Sequence, residues 1–122
     1  MPHDIDETVI VAKAIVKMFT LWGLQDSTQL KILGMSDSDD VVLRGMRDGS
    51  TGLPSEGDIR SRARHLLTIH KYLRLLYPKN NELLYGWVRM HNKHLGGLAP
   101  LDLMMTGDFQ RVITLLNKQV QH

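Results

Sequence analysis

Apolar residues recur at every third or fourth position through almost the whole chain, a period that specifies helices and little else. The clearest run is Ile59, Ala63, Leu66, His70, Leu73 and Tyr77, whose steps of four and three make one seam along a helix from about Ser55 to Tyr77. Ser55 with Asp58 three residues on has the form of a capping box, and Pro78 ends the run. Before it, Val11, Ile15, Met18, Phe19 and Trp22 mark one face of a helix closing near Gly23. A second helix, capped by Asp26 or Ser27, runs to Leu33 and Gly34, and a third, capped by Ser36, carries Val41, Val42, Leu43 and Met46 as far as Gly49.

After Pro78 the pattern predicts a fifth helix from about Asn80 to Met90, with Leu83, Leu84, Trp87 and Val88. Gly96 and Gly97 then interrupt the chain, Pro100 starts a short sixth helix and Gly107 ends it. A seventh, from Asp108, buries Phe109, Val112, Ile113, Leu116 and Val120. The expected fold class is all-α. The stretch DGSTGLPSEG, Asp48 to Gly57, has the composition of a linker, so the expected division is residues 1–50 and residues 51–122.

Composition excludes several function classes. The chain has no cysteine, which removes disulfides, thiolate nucleophiles and Cys-ligated metal centres. Fifteen Lys and Arg against thirteen Asp and Glu leave a formal charge of +2, too little to argue for nucleic-acid binding by itself. No stretch has the length and apolarity of a membrane span, and the acidic start MPHDIDET is unlike a signal or transit peptide, so a cytoplasmic protein is expected. His91 and His94 have the spacing of two ligands, but HxxH without a third ligand is a weak zinc signal, and no metal or cofactor is expected. No nucleophile–base pair and no phosphate-binding glycine loop is present, so the chain is not expected to be an enzyme.

The first three predicted helices end in Trp-Gly, Leu-Gly-Met and Arg-Asp-Gly, with a glycine-centred turn Leu33-Gly34-Met35-Ser36 between the second and third. From Thr20 to Gly49 this rhythm resembles the helix-turn-helix of Xre/Cro-type bacterial repressors. The resemblance implies a recognition helix at Ser36–Met46, with Ser38, Arg44 and Arg47 as candidate DNA contacts. Asp37, Asp39 and Asp40 at its start suit the helix dipole and are poorly placed to face phosphates. On the long helix Arg60, Arg64, Lys71 and Arg74 fall within about 80° of one another. They make a ridge that fits either a phosphate backbone, with Arg60 and Arg64 as contacts, or an acidic partner.

Trp87 is followed by Leu95-Gly96-Gly97, by Pro100-Leu101-Asp102-Leu103-Met104, by Thr106-Gly107, and by Val112 and Leu115-Leu116. This spaced pattern resembles the Xre/MbcA/ParS toxin-binding domain of antitoxins. The resemblance implies an N-terminal Xre/Cro-like unit followed by a long helix and a small helical toxin-binding domain. It further implies a type II antitoxin that neutralises a RES-domain, NAD-consuming toxin by occluding its active site. Homodimerisation and autorepression through operator DNA are usual or frequent in the family. Trp87, Leu101, Leu103, Met104 and Leu116 read as scaffold. The surface left to meet a toxin consists of Leu95, Gly96, Gly97, Leu98, Met105, Arg111, Lys118, Gln119 and His122. The alternative function is a DNA-binding transcriptional regulator without a toxin partner.

Overall fold

The computed structural model of the chain describes residues 6–121. Among the described residues every regular element is helical. Seven α-helices follow in order: α1 Glu7–Leu21, α2 Asp26–Leu33, α3 Asp40–Asp48, α4 Ile59–Leu76, α5 Asn81–Gly86, α6 Pro100–Met105 and α7 Phe109–Val120. Short 3-10 turns occupy Asp37–Asp39, Trp87–Arg89 and Lys93–Leu95. Among the described residues no helix is long and apolar enough to cross a membrane. The chain packs as two compact units, residues 1–60 and 61–122.

In the first unit Asp6 caps α1, its carboxylate accepting from the Thr8 amide at 2.9 Å. Ala12, Ile15, Phe19 and Trp22 are wholly buried, and Phe19 and Trp22 meet with ring centroids 6.2 Å apart. Leu30, Ile32 and Leu33 of α2 and Leu43 and Met46 of α3 are buried with them, each such side chain contributing about 1.5–3 kcal/mol. The residue preceding α2 is Gln25, which makes no side-chain cap; Asp26 instead lies in the first turn and pairs with Arg47. Ser36, expected to cap α3, instead precedes the 3-10 turn Asp37–Asp39; its amide donates to the Asp39 carboxylate at 2.9 Å, and Asp39 is the residue before α3. Val41 is 66% exposed, because α3 needs only Leu43 and Met46 to cover α1 and α2.

Helix α4 starts at Ile59 and not at Ser55. Gly57 has φ +57, a left-handed conformation that no helix interior accepts, so residues 56–58 form a turn and the Ser55–Asp58 capping box does not start the helix. The buried seam runs Ile59, Ala63, Leu66, Ile69 and Leu73; Ile69 takes the central place expected of His70, which is half-buried at the edge.

The second unit departs from a simple reading after Leu84. The expected helix from Asn80 to Met90 stops at Gly86 and tightens into the 3-10 turn Trp87–Arg89, glycine being the poorest helix former after proline. Leu84, Trp87 and Val88 are buried all the same. Pro100 opens α6, and Asp102 reaches back to accept from the Ala99 amide at 2.9 Å. Leu103 and Met104 are buried while Leu101 is only half-buried. On α7 Phe109, Val112 and Leu116 are buried, with Ile113 and Val120 half-buried. Phe109 stacks on His65 at 5.5 Å, with the Arg62 guanidinium 5.9 Å from its ring centre, and the Tyr72 hydroxyl donates to Asn117 at 3.4 Å.

Candidate functional site

The chain between α5 and α6 is a tied loop. The Asn92 side chain caps the 3-10 turn Lys93–Leu95 by accepting from the His94 amide at 2.9 Å. Gly96 and Gly97 follow with φ +69 and +87, the left-handed region where a β-carbon is costly. A β-carbon at either would meet nothing within 4 Å. The glycines are therefore required by backbone conformation and not by the close approach of any described neighbour. His91 Nδ1 lies 2.8 Å from the Gly97 carbonyl oxygen, which ties that histidine to the loop.

Between this loop and α7 lies a groove of about 590 Å³. Leu95 and His94 line it from the loop, and Gln110, Arg111, Thr114, Leu115, Lys118 and Gln119 from α7. Leu95 is 2% exposed, so half-buried Leu115 is the main apolar side chain between the cations, beside the polar Gln110 and Thr114. Arg111 and Lys118 are exposed, and Arg111 is held loosely by Asp108 at 3.9 Å. The spacing is helical: Arg111, Leu115, Lys118 and Gln119 differ by four, three and one, which puts them on a single face of α7.

Leu95, Arg111, Lys118 and Gln119, expected from sequence to meet a partner, thus come together in one groove. Gly96, Gly97 and Leu98 form the exposed turn beside it, with Leu98 44% exposed. Met105 is half-buried at the end of α6 and does not line the groove. His122 lies outside the described residues. His94, Gln110, Thr114 and Leu115 also line the groove and are not among the partner-facing residues expected from sequence, where the HxxH spacing sets His94 apart as a metal-ligand candidate.

The motif residues that do not face the groove fix α6. The Thr106 hydroxyl donates to the Leu103 carbonyl at 2.9 Å, and the Asp108 amide donates to the same oxygen at 2.9 Å. Pro100, Asp102, Thr106 and Gly107 are spent on starting and ending one short helix, which sets where α7 begins.

Residues 73–119 match the family model of the antitoxin Xre/MbcA/ParS C-terminal toxin-binding domain. Over these residues the chain is similar to that toxin-binding domain. The resemblance read from the Trp87–Leu116 pattern is borne out, and the match supports an antitoxin role with a toxin protein as partner. No curated protein matches the chain. The groove, the glycine turn and α7 up to Gln119 all lie inside the matched stretch.

The DNA-contact candidates are differently placed. Arg44 pairs with Asp40 at 3.3 Å, and Arg47 with Asp26, whose carboxyl that bond holds below the usual carboxylate range. Arg47 also donates to Gln29 at 3.2 Å, while buried Gln29 donates to the Leu24 carbonyl at 2.8 Å. Ser38 is exposed, its hydroxyl 2.7 Å from that of Ser36. Arg60 reaches the Leu53 carbonyl at 3.5 Å, and Arg64 is exposed on α4. Residues 1–60 hold ten Asp and Glu against six Lys and Arg, whereas residues 61–122 hold nine Lys and Arg against three acids. Residues 61–122, which contain the matched stretch, are thus the cationic part of the chain, and residues 1–60 the acidic part.

Proposed function

We propose that this protein is the antitoxin of a type II toxin–antitoxin pair, and that its partner is a RES-domain toxin that consumes NAD. Neutralisation is steric: the Leu95–Ala99 loop and the α7 face seat on the toxin at the mouth of its NAD cleft and exclude the dinucleotide. The observation that carries this reading is the groove of Leu95, Arg111, Lys118 and Gln119 within the stretch that matches the toxin-binding domain. Apolar Leu115 flanked by cations suits a protein edge that presents aliphatic and carboxylate side chains, and buried apolar contact with a charged rim is the general anatomy of such interfaces. The exposed Leu98 adds an anchor that a partner's pocket can bury.

The regulator reading without a toxin has less support. Its arginines Arg44 and Arg47 are already paired to carboxylates, and the unit that carries them is acidic overall. Operator binding and autorepression, where they occur, then require the toxin-bound assembly or another surface.

Co-expression with the product of the adjacent reading frame tests the proposal. That product alone should arrest growth and deplete cellular NAD, and this chain should restore both. A harmless neighbour, or one that stays toxic beside this chain, sinks the antitoxin reading; arrest that is relieved without any change in NAD sinks only the RES assignment.

A further inference from the structure

A second groove, of about 490 Å³, lies on α4 away from the residues just assigned. Leu67, Lys71, Arg74 and Leu75 line it from α4 in steps of four, three and one, a stripe about 12 Å long at the helical rise, and Pro78 extends it just past the helix end. Leu75 is 58% and Leu67 37% exposed, large values for leucines, while Leu84 enters from α5. Lys71 and Arg74 are exposed, and among the described residues neither makes an ion pair. His70 also lines the groove, and its Nδ1 is buried without a hydrogen-bond partner among the described residues. None of these residues serves the toxin-facing groove.

We infer that this stripe docks an amphipathic helix of a protein partner, about three turns long, with aliphatic side chains along one face and carboxylates on its flanks. Leu67 and Leu75 supply apolar surface to cover, and Lys71 and Arg74 the charge to pair. A nucleic-acid backbone offers the cations phosphate but nothing to bury against these two leucines. A second copy of α4 laid on the first would set Lys71 and Arg74 against like charges, in a unit that holds only three acids. The excess of cations over acids in residues 61–122 favours an acidic occupant over a second copy of α4. The inference stands apart from the toxin assignment.

The test titrates the isotopically labelled full chain with a synthetic 14-residue helical peptide bearing leucines at i, i+4, i+7 and i+11 and flanking glutamates. Controls are the same peptide with every glutamate replaced by lysine, and a short random-sequence DNA duplex. The acidic peptide should shift the amide resonances of Leu67, Lys71, Leu75 and Leu84 saturably and bind at least tenfold more tightly than the lysine peptide. Lys71→Glu with Arg74→Glu should invert that preference, with the helical circular dichroism unchanged because both residues are exposed. The inference is overturned by no saturable binding of the acidic peptide, by shifts centred on Arg111 and Lys118, or by DNA moving the same resonances. Self-association that Leu75→Glu abolishes in sedimentation overturns it too, by making the occupant a second copy. A chain that neutralises its toxin and ignores the peptide disproves this inference alone; one that binds the peptide beside a harmless neighbour disproves only the antitoxin reading.

Discussion

The Asn92 amide donates to the Leu98 carbonyl at 3.0 Å, and the Asn92 carbonyl accepts from the Gly97 amide at 3.0 Å. One residue thereby uses both of its backbone groups to close the loop that carries the glycine pair, and its side chain caps the turn within. The loop is rigid through hydrogen bonds more than through burial, since Gly96, Gly97 and Leu98 are all exposed. Asn92→Ala removes the cap and should cost about 1 kcal/mol, read as a lower thermal midpoint. Hydrogen exchange at Gly97 should accelerate, and toxin neutralisation should weaken because a loosened loop must be ordered on binding. Unchanged exchange at Gly97 would show that the backbone pair alone holds the loop.

Trp87 and Leu98 separate scaffold from contact. Trp87 is 6% exposed at the start of the 3-10 turn after α5, and Trp87→Ala should cost about 3–5 kcal/mol, with stability and toxin binding lost together. Leu98→Ser removes an exposed side chain and should leave the stability within about 0.5 kcal/mol of wild type while neutralisation falls. Equal neutralisation by Leu98→Ser and wild type, measured as growth rescue at matched expression, would place the contact elsewhere.

Stability should respond to pH through His70. Burial, and next the Arg74 charge, hold its pKa below the usual histidine value. The proton is therefore bound more readily by the unfolded chain. The folded state keeps its full stability above about pH 6.5, the unfolded value, and loses stability as pH falls from there through the lower folded pKa. Lys71, Arg74, Pro78 and Leu84 share its groove, and none of them is a carboxylate that would hold the proton. Asp6, Asp26 and Asp48 are held below the usual carboxylate range by hydrogen bonds from Thr8, Arg47 and Ser50, so their contribution is present above about pH 3.8 and fades only below it. Urea midpoints between pH 7 and 5 should decline for wild type, and the decline should flatten in His70→Gln. An identical slope in the variant would assign the effect to another group.

The helices were legible because their apolar period is strong: Ile15, Phe19 and Trp22, or Phe109, Val112 and Leu116, are buried at the spacing that identified them. Errors fell where a local signal competed with that period. Ser55 and Asp58 have the residues of a cap, but Gly57 between them turns the chain in a left-handed conformation. Leu83 to Val88 read as one helix, yet Gly86 lets the chain tighten before Trp87. The candidate site was legible in part. Arg111, Lys118 and Gln119 share a helical face that the sequence displays, while the pairing of that face with His94 and Leu95 depends on the angle at which α6 returns the chain, which no period records. The pairing of Arg47 with Asp26, 21 residues apart, was invisible for the same reason.

The C-terminal turn of α7 offers the most direct separation of fold from function. A chain that stops after Leu116 keeps the wholly buried Phe109–Val112–Leu116 side of the helix. It loses Asn117, whose 3.4 Å bond with Tyr72 is long, and half-buried Val120. One weak hydrogen bond and part of one valine are together about 1–2 kcal/mol, too little to unfold a domain of this size. The same cut removes Lys118 and Gln119 from the toxin-facing groove and leaves Arg111 as its remaining cation from α7. The truncated protein should retain its helical circular dichroism and a cooperative melt, and should neutralise the toxin at least tenfold less well. Full-length Arg111→Glu with Lys118→Glu should reproduce that loss without lowering the melting temperature, because both side chains are exposed. If truncated and full-length proteins neutralise equally, the groove is not where the toxin is held.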